Sequence, residues 1–140
     1  MGTTLYVTHE PNEEDRLAIY KNLIAFNDAT AGPSSFERLA VLLKDDIGIS
    51  IGGLWGKFSY GWLTIELLVV PDSLRGQGFG RRLVRTAEEA AIKRDCVGVW
   101  LDTHGFQAPE FYKAIGYEIF GNLPNYPQGV SRYFLKKLLN

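Results

Sequence analysis

The sequence predicts an α/β (α+β) fold in which helices flank one mixed, mostly antiparallel central sheet of about six to seven strands. Three observations carry this. Phe36–Leu43, Ile47–Ile51 and Trp62–Val70 are β-rich stretches joined by short turns, so three antiparallel strands run in series. The last of them stops at Pro71 and passes through a glycine-rich turn into an amphipathic helix, from about Gly78 to Arg94. Val97–Thr103 then reads as a strand reached by a helical crossover, which makes it parallel to Trp62–Val70.

The 140 residues are 46% hydrophobic, enough for one globular domain over residues 1–140 with its own core. Fifteen Lys and Arg stand against sixteen Asp and Glu, so no global field favours nucleic acid or an anionic membrane. Arg75, Arg81, Arg82 and Arg85 still make a local basic cluster suited to one polyanionic ligand. No apolar run is long enough to span a bilayer and the N-terminus lacks the layout of a signal peptide, so a cytoplasmic protein is expected. The lone Cys96 cannot form an internal disulfide and reads as core filler.

In chain order, Leu5–Thr8 alternates as an opening strand, and Pro11–Asp15 supplies the cap and acidic first turn of a helix over Glu13–Asn27. Leu17, Tyr20, Leu23 and Ile24 recur on one helical face. Asn27–Ser35 is a loop by composition, either a plain connection or a substrate-binding segment. After the hairpin, Gly52, Gly53, Gly56 and Gly61 break or bulge the sheet near Trp55 and Trp62. The aromatics Trp55, Phe58, Tyr60 and Trp62 are packing residues or a substrate-side surface. In the helix after the turn, Leu83, Val84, Ala87, Ala90 and Ala91 share a face for the sheet. Pro109 opens a short helix that Gly116 ends, and Tyr117–Phe120 and Ser131–Lys137 close the sheet. The turn-rich Gly121–Gly129 lies between them as a loop.

The turn after Val70 invites backbone N–H groups and a helix N-terminus to converge on phosphate. A dinucleotide fingerprint fails because Arg81 stands where a third glycine belongs, and a triphosphate loop fails for want of Gly-Lys-Ser/Thr. Arg-x-x-Gly-x-Gly does fit, through Arg75, Gly78 and Gly80. With its preceding strand, this motif resembles the acyl-CoA pyrophosphate loop of the GNAT superfamily of N-acyltransferases. The order of elements is similar too, as is Ala108–Tyr117, an alanine followed by Phe111-Tyr112 and Gly116-Tyr117. One departure stands out: the asparagine often found three residues before that alanine is Gly105 here, which leaves a cofactor contact to backbone, His104 or Gln107.

The resemblance implies a parallel central pair that splays apart, three to four helices, and acetyl-CoA as cosubstrate with no metal. It implies that Leu68, Val69 and Val70 offer backbone to the pantetheine arm, while Arg75, Gly76, Gln77, Gly78, Phe79, Gly80 and Arg81 hold the pyrophosphate. The implied reaction is direct attack by a primary amine, of a small molecule or a protein, in a ternary complex. Tyr112 matches the family tyrosine that protonates the leaving thiolate; packing on the sheet is its alternative role. Glu66 shares strand parity with Leu68 and Val70, which makes it a candidate base, or else a solvated or arginine-paired carboxylate. Asp102 and His104 end the neighbouring strand and could relay a proton or meet substrate. Asp28, Glu66 and Asp102 would suit a cationic amine, and Asn27 is a further substrate-binding candidate. A catalytically degenerate acyl-CoA sensor is the other reading of the motifs, and a homodimer is compatible with either.

Overall fold

A computed structural model describes residues 2–140. The chain divides into two compact units, the second spanning Ser35–Asn140.

The first unit holds helix α1, Glu13–Ala31. Asn12 caps it reciprocally: its side chain accepts the Asp15 N–H at 2.9 Å and the Asp15 carboxylate accepts the Asn12 N–H at 3.3 Å. The helix runs on to Ala31 and stops only where Gly32 takes φ 80°. Asn27 and Asp28, read as loop from their polarity, are therefore helical, because the stop signal is Gly32-Pro33 and not the polar residues before it. The expected strand at Leu5–Thr8 is absent. A strand needs a neighbour to take its backbone hydrogen bonds, and the described residues of this unit form no strand.

The second unit contains strands β1 (Glu37–Lys44), β2 (Ser50–Ser59), β3 (Trp62–Val69), β4 (Gly98–His104), β5 (Glu118–Leu123) and β6 (Arg132–Leu138), with helices α2 (Phe79–Lys93) and α3 (Pro109–Ala114). The sheet order is β1-β2-β3-β4-β6-β5, antiparallel everywhere except β3–β4. Ile47–Ile49, expected in a strand, form the β1–β2 turn. The Asp45 carboxylate accepts the N–H groups of Ile47 at 3.0 Å and Ile49 at 2.8 Å, and a local side-chain acceptor of this kind outcompetes strand pairing. β5 extends to Leu123, into the expected loop, because β6 pairs with it as far as Arg132.

The core lies where α2 covers the sheet. Leu83, Val84, Ala87 and Ala91 of α2 pack with Leu54, Leu63, Ile65, Val99, Leu101 and Leu135. Cys96 is buried in the same cluster, and burial pushes its thiol pKa up, as befits core filler.

Two irregularities position the site. β3 and β4 pair only from Trp62↔Gly98 to Ile65↔Leu101, although both strands continue beyond. At that point the β2–β3 register jumps: Gly56 opposes Ile65 and Trp55 opposes Leu67, which leaves Glu66 as an extra residue in β3. A bulge bends its strand. Here it coincides with the end of the parallel ladder, and the two strands part into a fork.

Candidate active site

The fork opens a cleft of about 660 Å³, lined on one side by Ile65 to Val69 of β3 and the following Val70, and on the other by Leu101, Asp102 and Thr103. Phe106, Gln107, Ala108, Phe111 and Tyr112 close it from the α3 side, with Arg75 and Gly80 at the β3 end. Beyond the ladder, β3 and β4 have no strand between them, so their facing backbone groups can pair with an extended ligand.

At the end of β3, Pro71 and a single 3₁₀ turn at Asp72–Leu74 lead into the glycines. Gly76 (φ 76°) and Gly78 (φ 82°) adopt left-handed conformations, and a Cβ at either would meet nothing within 4 Å. Gly78 caps α2 without any side-chain hydrogen bond, and the first carbonyl bond of the helix runs from the Arg82 N–H to the Gly78 oxygen at 3.1 Å. The N–H groups of Phe79, Gly80 and Arg81 thus lack helical acceptors. No acidic residue lies in this first turn, which instead carries Arg81 and Arg82 at the positive pole of the helix. Two arginines on an uncapped helix start repel the dipole unless an anion joins them. Gly80 is required for a different reason: its Cβ would meet the Phe111 ring at 3.2 Å, so α2 and α3 approach closely here.

Arg75 serves the loop itself. Its Nε donates to the Val70 carbonyl at 3.1 Å and its guanidinium pairs with Asp72 at 2.8 Å, so that carbonyl is already engaged. Gln77 donates to the Ser73 carbonyl at 3.3 Å and closes the same turn.

Tyr112 is 7% exposed and contributes to the cleft lining. Phe111 and Tyr117 meet its ring edge-on, at centroid distances of 5.1 and 5.9 Å. Burial, and secondarily the negative charge of Asp102, push its phenol up to about 12, so it stays protonated throughout the neutral range. Asp102 is held by Arg132, whose Nε donates to its Oδ2 at 2.6 Å. Gln107 Oε1 accepts from the His104 N–H at 2.8 Å and the Thr103 hydroxyl at 3.0 Å, fixing the loop after β4. Among the described residues, no three His, Cys, Asp or Glu side chains converge to hold a metal ion.

Residues 5–117 match the Acetyltransferase (GNAT) family. The chain belongs to that family. An acetyltransferase of Agrobacterium fabrum is 37% identical over 124 residues, covering 89% of this chain and 90% of its own. A Blasticidin-S acetyltransferase of Streptomyces morookaense is 40% identical over 104 residues, covering 74% of this chain and 76% of its own. A crystal structure of an Agrobacterium tumefaciens protein assigned as an acetyltransferase superposes with a TM-score of 0.93 at 34% identity, over 98% of this chain and all of the other.

The GNAT chain is an N-acetyltransferase, and most of the residues singled out in its sequence meet at the fork. Glu66, Leu68, Val69, Val70, Arg75, Gly80, Asp102, Gln107 and Tyr112 line the cleft. Gly76, Gln77, Gly78, Phe79 and Arg81 form the adjoining turn and helix start. His104 is not in the lining; it stacks on Phe106 at 5.0 Å and meets Tyr126 at 5.5 Å. Asn27 and Asp28 belong to the other unit, inside α1. Glu66 is exposed whereas Leu68 and Val70 pack against the core, because the bulge interrupts the alternation on which its shared parity rested. Sequence reasoning missed Phe106 and the Asp102–Arg132 pair, and read Phe111 only as part of the Phe111-Tyr112 motif. Arg132 reaches Asp102 only through the β4–β6 register, which pairs Asp102 with Phe134, and no local pattern encodes a register.

Proposed function

We propose that the protein transfers an acetyl group from acetyl-CoA to the primary amine of a small molecule, with both substrates bound together. One observation carries this reading: the fork at Glu66 opens directly between an uncapped, arginine-bearing glycine turn and the Tyr112 phenol. The relative that acts on blasticidin-S favours a small-molecule acceptor over a protein one. Residues 1–140 are read as one GNAT domain, since the family match crosses the boundary between the two units.

The residues present fit the cosubstrate. The free N–H groups of Phe79, Gly80 and Arg81, with the Arg81 and Arg82 side chains, suit a pyrophosphate, and the open space at Gly76 and Gly78 admits it. The unpaired stretch of β3 through Leu68 suits an amide-bearing arm. When bound, acetyl-CoA supplies an acyl group already activated as a thioester. The chain supplies the proton handling. Glu66 makes no ion pair among the described residues and stands at the fork, where its carboxylate can receive the proton an ammonium must lose before attack. As the carbon–nitrogen bond forms and the carbon–sulfur bond breaks, Tyr112 donates to the departing sulfur, and the proton that the acylated nitrogen sheds restores the phenol through solvent. Handing a proton from a phenol near 12 to a thiolate of pKa about 8.5 is uphill by roughly 5 kcal/mol. Apolar wall residues such as Ile65, Leu101 and Phe111 would destabilise a thiolate beside them, which narrows that gap.

The test is calorimetric titration with acetyl-CoA and desulfo-CoA, beside a Gly78→Glu variant, followed by an amine screen for thiol release. The expected result is micromolar binding, about −8 kcal/mol, abolished in the variant, with amine-dependent release. Binding without release from any amine would support the acyl-CoA sensor instead, and no binding by the wild type would end both readings.

A further inference from the structure

A partly buried polar cluster lies beside Tyr117, outside the cleft. Glu88 of α2 has a side chain only 13% exposed, and both its oxygens are used. Oε2 accepts the Tyr117 hydroxyl at 2.7 Å and Oε1 accepts Lys137 Nζ of β6 at 3.2 Å. Lys137 also donates to the Ile115 carbonyl at 3.1 Å, at the C-terminal end of α3, and its ammonium lies 5.7 Å from the Tyr117 ring centre. α2, β6 and the segment that follows α3 are thus tied together through Glu88 and Lys137.

The cluster has a reason to exist. α3 is six residues long, far too short to be stable by its own hydrogen bonds, yet it carries Tyr112 in its last turn. The chain leaves the helix through Gly116 at φ 101° and returns at once, with the Tyr117 N–H bonded to the Tyr112 carbonyl at 3.0 Å. Lys137 occupies the space beside Gly116, where a Cβ would stand 3.3 Å from its Cε. Tyr117 is joined to Tyr112 both by that backbone bond and by ring contact. Withdrawing the Glu88 carboxylate from water costs free energy that a partly exposed ammonium offsets only in part, so a purely apolar packing would serve simple stability at least as well. What the charged cluster adds is direction: it fixes one place for the Tyr117 ring and, through it, for the phenol in the cleft.

We propose that Glu88, Tyr117 and Lys137 are positioning residues that set the Tyr112 phenol against the fork. This rests on Tyr112 acting as the donor to the leaving sulfur. Tyr117→Phe keeps the ring and deletes only the bond to Glu88, so kcat should fall about tenfold while KM for acetyl-CoA changes less than about twofold. In a Tyr112→Phe background the same substitution should add nothing, since its target is gone. Lys137→Arg should retain most of the rate and Lys137→Met should lose it. A readout without substrate runs alongside: in protein labelled on its tyrosine rings, Tyr117→Phe should speed Tyr112 ring flipping about tenfold at constant thermal midpoint. Equal losses in both backgrounds, or unchanged Tyr112 ring dynamics, would overturn the proposal. If Tyr112→Phe alone leaves kcat intact, the donor role fails by itself, and the ring dynamics still decide whether the cluster holds Tyr112.

Discussion

Tyr112 shows how one side chain serves packing and chemistry together. Its side chain is part of the core and also lines the cleft. Tyr112→Phe should therefore leave stability within about 1 kcal/mol, because the hydroxyl makes no hydrogen bond among the described residues, while lowering kcat about a hundredfold. Equal losses of fold and rate would instead mark it as packing alone. Its ionisation gives a second check. Burial raises the phenol from 10.0 to about 12, so the folded state holds the proton more tightly than the unfolded one. The stability this confers is complete below pH 10 and is lost as pH rises through about 12. An absorbance titration of the folded protein should show Tyr112 among the late-ionising tyrosines, and Tyr112→Phe should delete one late transition. The rate should likewise show no alkaline decline attributable to Tyr112 below that range. The identity of this residue was legible in Phe111-Tyr112 ahead of Gly116-Tyr117, whereas its shifted proton affinity was not, since that depends first on burial in the assembled core and then on Asp102 arriving from another strand.

The bulge in β3 is a strand-level device that depends on a residue in β2. A Cβ at Gly56 would overlap the Thr64 carbonyl oxygen and press Leu63 at 3.4 Å, so the close approach that carries β3 into its bulge needs glycine. Gly56→Ala should cost about 1–3 kcal/mol of stability in a denaturant melt, and should weaken acetyl-CoA binding as well, because the fork begins at the next register position. A variant that loses stability yet binds normally would separate the fork from this bulge. The glycines foretold an irregularity here, but which residue of β3 would be extra was hidden, because register is a property of two strands. The same division runs through the fold. α2 was legible from its own periodicity and the glycine turn before it, with ends within a residue of those expected. Leu5–Thr8 and Ile47–Ile49 were misread because alternation marks a candidate strand without supplying a partner ladder.

Across the whole chain the charges nearly cancel, at a net −1, so attraction for a polyanion must come from where the arginines sit. Arg75 is paired with Asp72 and bonded to Val70, which leaves Arg81, Arg82 and Arg85 along the start of α2 as the local field. Such a field is screened over about 10 Å at 0.1 M salt, so it acts on the phosphates and hardly reaches the fork. Affinity for acetyl-CoA should then fall about fivefold to tenfold between roughly 0.05 and 0.5 M salt. Acetyl-pantetheine, which lacks the phosphates, should bind weakly with almost no salt dependence. Arg81→Gln combined with Arg85→Gln should flatten the acetyl-CoA dependence while leaving the fragment unaffected. A steep slope surviving in the double variant would move phosphate recognition onto the backbone of the turn and Arg82. An equal slope for the fragment would mean that salt acts on the fold itself, and the local-field account would fail.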